Sequence, residues 1–164
     1  MTKLHKLERI LDKFFNESFP SIPTKWKKFL VKYLSIITFV GGVLTLISGY
    51  NLYHWANNTQ TVTYNSGPNP IIYQPHSFNF GIWVSLILLL VAALLYLSAY
   101  KGLKKQLKIG WNLIFYGIMV NILYSFVILF TLYGSSGAFI LDIVGLGLCL
   151  YILFQIRSAY IPRK

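Results

Sequence analysis

Apolar residues along this chain gather into four long runs, at residues 33–53, 80–100, 111–133 and 138–156. A bilayer core demands about 20 consecutive apolar residues, and each run reaches or nearly reaches that length. Backbone amides in hydrocarbon have no water to bond to, so each run is expected to be a transmembrane helix. A different pattern precedes them. In KLHKLERILDKFFNESF, Leu4, Leu7, Leu11, Phe14 and Phe15 recur at three- and four-residue spacing, with Lys3, Lys6, Arg9 and Lys13 elsewhere around the helix. Residues 1–19 therefore read as an amphipathic helix that either lies on an anionic membrane surface or covers the end of its own bundle. PSIP, residues 20–23, ends it and starts the next helix, and residues 20–32 form a basic linker and the start of the first span. Residues 56–79 contain no Lys, Arg, Asp or Glu. Within them Thr61-Val62-Thr63-Tyr64 alternates and Ile71-Ile72-Tyr73 can return, so a short β-hairpin is expected. The expected fold class is an all-α membrane protein. It is a four-helix transmembrane bundle with an N-terminal amphipathic interfacial helix and a short extracytoplasmic loop.

Composition agrees with the pattern. The 164 residues are 55% hydrophobic and 12% charged, with mean hydropathy +0.58, whereas a soluble domain is about 25% charged. The net charge of +11 would suggest a nucleic-acid partner in a soluble protein. Here the basic residues flank the apolar runs, so no nucleic acid is expected. Their distribution sets direction instead. Of 15 Lys and Arg, eight precede the body of the first run, four lie between the second and third, and three follow the fourth. All fall on one side, and the positive-inside rule makes that side cytoplasmic, with both termini inside. Trp26, Trp55, Trp83 and Trp111 lie at or before span ends, as an interfacial belt requires. The first 32 residues are too long and too structured for the basic region of a cleaved signal peptide.

Small residues mark where helices can approach. The first span carries Thr38, Gly41, Thr45 and Ser48, with Gly42 and Gly49 beside them. The second carries Gly81, Ser85, Ala92 and Ala99; the third Gly117, Asn121 and Ser125; the fourth Ala138, Asp142, Gly145 and Cys149. Inside lipid, such stripes and polar contacts drive packing more than apolar burial does, so Gly41, Gly42, Gly117 and Gly145 are expected in helix contacts. Asn121, near the middle of its span, reads as interhelical glue or as a ligand contact.

Asp142 is the most informative residue. The other three acids, Glu8, Asp12 and Glu17, lie in the first 17 positions. About six residues into its span, at ~1.5 Å per residue, Asp142 sits ~9 Å from the outer end. No Lys or Arg shares that side, so its expected partners are Ser48, Tyr50, Asn51, Ser85, Thr131 or Tyr133, or the imidazole of His54 or His76. It is expected on the small-residue face, pointing into a helix contact and away from lipid. A protonated carboxyl, a hydroxyl-bonded one, a His54 pair and a bound proton or cation all remain open. Asn121 is placed too far away in depth for direct pairing.

Catalytic constellations are missing from the pattern. There is no HExxH, no cysteine pair for a metal or redox site, and no acid pair beyond the N-terminal helix. GSSG at 134–137 reads as a turn, and Cys149 as a small packing residue. No enzyme activity, cofactor or metal is expected. Small multidrug exporters share the four-span size but depend on a glutamate in the first span, which is absent here. GWNLIFYG (110–117) and FQIRSAY (154–160) resemble uncharacterised small four-span bacterial inner-membrane proteins, which implies a bacterial inner-membrane location and transfers no functional residue. The expected function is that of a non-enzymatic membrane component. Its partners are membrane lipids, other membrane proteins or a second copy of itself. The alternative is a small oligomeric transporter or channel using Asp142. Candidate functional polar residues are Asp142, Asn121, His54 and Ser85.

Overall fold

The computed structural model describes residues 10–15, 18–57, 62–64, 71–73, 80–131 and 136–161. Four long helices dominate it: α2 (Thr24–Asn57), α3 (Phe80–Lys104), α4 (Lys108–Leu129) and α5 (Ser136–Gln155). Each is long and apolar enough to cross a membrane. A helical turn and a half, α1, occupies residues 10–15. A 3₁₀ turn, Arg157–Ala159, follows α5. Between α2 and α3, strands β1 (Val62–Tyr64) and β2 (Ile71–Tyr73) pair antiparallel, with Val62 opposite Tyr73. Much of the amphipathic segment, His76, Tyr133 and the first half of GSSG lie outside the described residues.

Successive long helices run antiparallel, so α1, the start of α2, the α3–α4 turn and the end of α5 share one end, here the basic end. α2 is 34 residues long, about 50 Å at 1.5 Å per residue. It therefore continues well past a ~30 Å hydrocarbon core, and its first turns carry Lys25, Lys27, Lys28 and Lys32 of the basic segment that follows PSIP.

The α3–α4 turn is the tightest joint. α3 closes in a Schellman motif: Leu107 N–H bonds Gly102 O (2.8 Å) and Gln106 N–H bonds Leu103 O (2.9 Å). Gln106 holds the left-handed position, φ 52°, where glycine is usual. The two helices then cross backbone on backbone. A Cβ on Gly102 would stand 2.8 Å from Cα and N of Gly110, closer than any side chain can approach.

Packing follows a line and does not close a ring. α3 packs broadly on both α2 and α4, α5 rests on α4 alone, and α2 and α5 scarcely touch. Two apolar clusters result. The larger, at the basic end, gathers Leu103, Trp111, Phe115, Leu153, Phe154 and Tyr160. The smaller, at the opposite end, holds Leu52, Ala56, Ile82, Leu89 and Ile128.

Aromatic packing fixes the basic end. Trp111 stacks on Phe115 (5.6 Å) and meets Phe154 edge-on (5.5 Å). Its indole N–H bonds Leu153 O at 3.0 Å, satisfying one of the carbonyls that a helix C-terminus leaves without a partner. The segment before α2 is stitched to the end of α5. Gln155 donates to Phe15 O (3.3 Å) and accepts from Ile22 N–H (3.4 Å), Tyr151 donates to Pro20 O (2.6 Å), and Asp12 pairs with Arg157 (3.1 Å). Phe15 stacks on Phe154 (5.7 Å) while Ile10, Phe14 and Phe19 are exposed. The described part of the amphipathic segment thus uses one apolar face on its own bundle and leaves another open.

Candidate functional site

Where α5 diverges from α2, a cleft of about 300 Å³ opens. α2 contributes Leu44, Thr45 and Ser48, α3 Leu89, α4 Asn121, Tyr124 and Ser125, and α5 Asp142 and Leu146. The cleft lies where the two apolar clusters adjoin. It exists because α5 is anchored at one end only. Its buried residues are Leu150, Leu153, Phe154 and Gln155; the nearly four turns before them, residues 136–149, lean on α4 and bury nothing fully.

Three aliphatic hydroxyls in the cleft, those of Thr45, Ser48 and Ser125, face it mainly as acceptors. Thr45 donates its proton to Gly41 O (2.8 Å) and Ser48 donates to Leu44 O (3.0 Å), each four residues back. Ser125 donates to Asn121 O at 3.1 Å, and its only other acceptor is Asp142 Oδ2 at 3.5 Å. A hydroxyl has one hydrogen, and the shorter contact has the stronger claim on it. Lone pairs on three hydroxyls and one carboxyl therefore converge in hydrocarbon. Ser125 is the one hydrogen-bond partner of Asp142 among the described residues. Asn121 donates from Nδ2 to Tyr96 Oη at 2.8 Å, which fixes the back wall. Gly117 permits this: a Cβ there would meet the Tyr96 ring at 2.5 Å.

Each residue singled out by sequence has a definite place. Asp142 is exposed on the cleft wall, in contrast to the buried helix contact expected for it. The reason is that α5 has α4 on one side and no helix on the other. Asn121 and Asp142 share the cleft, one helical turn apart in depth and linked through Ser125, so the expected separation was too large. Ser125, on the small-residue stripe of its span, is the neighbour not foreseen for Asp142; counting residues back from the α4–α5 turn pairs 125 with 142. His54 stands on the exposed side of α2, 6.0 Å from the Tyr50 ring, and takes no part in the cleft. Ser85 is fully buried on α3 between Ile82 and Leu89, and its Oγ has no hydrogen-bond partner among the described residues.

The glycines divide in the same way. Gly42 lies against Leu97 and Tyr96, and Gly117 against Tyr96, whereas Gly41 and Gly145 face open space. The whole α5 stripe of Ala138, Asp142, Gly145 and Cys149 is exposed. A stripe of small residues allows close approach; it does not supply the helix that approaches. No three His, Cys, Asp or Glu side chains among the described residues gather at metal-binding distance.

Comparison with protein-family models, with curated proteins and with solved structures finds no match for the chain.

Proposed function

We propose that the chain is a non-enzymatic multi-pass component of a bacterial inner membrane, with both termini cytoplasmic, that binds a membrane-embedded partner sideways through the α2–α5 cleft and the small-residue face of α5. The observation that carries this reading is the exposed stripe of Ala138, Asp142, Gly145 and Cys149 beside an acceptor-rich cleft. Close helix approach in lipid needs small residues and gains from polar contacts, and here both are present on an exposed face of α5. The chemistry specifies the partner in part. Three hydroxyls committed to backbone carbonyls and a carboxyl favour a group that donates hydrogen bonds, on a helix of another protein or of a second copy. Lipid acyl chains cover the remaining apolar surface of α5. The one-sided Lys and Arg distribution supports the orientation, and the likeness of residues 110–117 and 154–160 to small four-span bacterial proteins supports the membrane.

Asp142 supports a second reading. An intramembrane acid on a cleft reachable from its surroundings is a frequent element of proton and cation pathways. One experiment separates the two. A photo-crosslinking residue at Gly145, with Leu94 on the lipid-exposed face of α3 as control, is expected to give a discrete protein adduct in intact membranes from position 145 alone. Equal lipid labelling at both positions would contradict lateral binding. Under the transport reading, Asp142→Asn abolishes proton- or cation-driven flux in reconstituted vesicles. Flux that is unchanged by that substitution removes Asp142 as the coupling site.

A further inference from the structure

At the basic end, a second cavity of about 540 Å³ opens between the first turns of α2 and the α3–α4 turn. Lys27, Lys28 and Lys32 line it from α2 and Lys104 from the last turn of α3, with Ser35 and Gln106 between them. Four lysines thus share one cavity, and no acid is among the lining residues. The acids of the described residues are Asp12 and Asp142; Asp12 pairs with Arg157, and Asp142 lies in the cleft towards the other end of α5. Like charges gathered without a counter-charge repel one another, and among the described residues no carboxylate at the cavity offsets that repulsion; Lys32 Nζ lies 5.5 Å from the centroid of the Tyr33 ring. The floor of the cavity is apolar, formed by Val31 and Leu103. At the same depth, on a face of α2 turned away from these lysines, stand the exposed Trp26, Phe29 and Tyr33, aromatic residues of the kind that settle at the headgroup level of a bilayer. Below them the same helix exposes Ile36, Phe39 and Val43, a surface for acyl chains.

We propose that this cavity is a binding site for the phosphate-bearing headgroup of an anionic phospholipid, with the lipid's chains lying along α2. Cavities lined by basic residues at the ends of transmembrane helices take such headgroups. Four uncompensated charges favour a headgroup with two phosphates, as in a diphosphatidyl lipid, over one with a single charge. The site is distinct from the α2–α5 cleft and does not depend on it, so loss of either leaves the other standing.

The test uses the full chain in nanodiscs of phosphatidylcholine doped with a diphosphatidyl lipid. The readouts are lipid retained by native mass spectrometry and the lipid-dependent rise in Tm. The variant Lys28→Gln/Lys32→Gln/Lys104→Gln removes three cavity charges. Lys101→Gln/Lys105→Gln/Lys108→Gln removes the same net charge from exposed positions outside it. Each juxtamembrane lysine is worth about fivefold in lipid affinity, so the cavity variant is expected to lose on the order of 100-fold. In a mainly zwitterionic bilayer the outside lysines meet little surface potential and do not touch the bound headgroup, so the outside variant should lose less than a tenth as much. Equal losses in the two variants would overturn the site in favour of diffuse attraction. An unchanged cavity variant would overturn it as well. Inorganic pyrophosphate, added to protein in phosphatidylcholine nanodiscs, should not reproduce the Tm rise; if it does, the site serves a soluble phosphate compound and the lipid assignment fails.

Discussion

Ser85 and Asp142 are both polar groups in a span, and their surroundings give them opposite meanings. Ser85 is wholly buried with its hydroxyl unpartnered among the described residues. A buried donor without an acceptor costs about 1–3 kcal/mol. Ser85→Ala removes that cost and almost no volume, so it is expected to leave stability unchanged or raise it by about 1 kcal/mol, read as Tm in detergent. A clear loss of stability would show that the hydroxyl has an acceptor after all. Asp142 instead sits on an open wall, with neighbouring hydroxyl protons engaged four residues back in their own helices. Sequence alone could place the acid in depth and exclude Lys and Arg as partners. It could not show that Thr45, Ser48 and Ser125 would present mainly lone pairs, because that depends on side-chain rotamers.

Among the elements, the α3–α4 hairpin carries the strongest geometric constraint. Gly102 and Gly110 meet backbone to backbone, and neither belongs to the small-residue stripes that the periodicity picked out, since both lie at the basic margin of their spans. Gly102→Ala forces the helices apart at the point where the Schellman turn fixes them. It is expected to destabilise the protein by about 3 kcal/mol, the upper part of the usual overpacking range, whereas Gly145→Ala, facing open space, should cost less than about 0.5 kcal/mol. Thermal or denaturant unfolding of the two variants side by side checks the contrast, and equal effects would contradict it. The quoted stretches GWNLIFYG and FQIRSAY also gain a physical account at this scale. Trp111, Phe115, Phe154 and Gln155 belong to one cluster that locks α4, α5 and the segment before α2 together.

Over the whole molecule, hydrophobic run length and the one-sided charge were enough to read four spanning helices. Which helices would be neighbours was not legible. Periodicity marks a face on each helix but does not say which faces meet, and it suggested a closed bundle with α5 packed through Gly145. The structure is an open line from α2 to α5, tight at the basic end through Trp111 and loose at the other. That asymmetry leaves the cleft and the α5 stripe available to a partner. It also separates two surfaces of different chemistry, an acceptor-rich cleft within the span and a lysine-lined cavity at its edge.

The openness of α5 is the premise of the proposed lateral binding, and oxygen accessibility of spin labels tests it most directly. Labels are placed singly at positions 142, 145 and 149, and at the buried position Leu153, with Cys149→Ser as background for all but the third. Nanodiscs holding one copy each exclude self-association. The first three labels should be as accessible to lipid-dissolved oxygen as a label at exposed Val144, with Leu153 protected. Protection of 142, 145 and 149 to the level of Leu153 would mean that α2 closes on α5, and the lateral site would not exist.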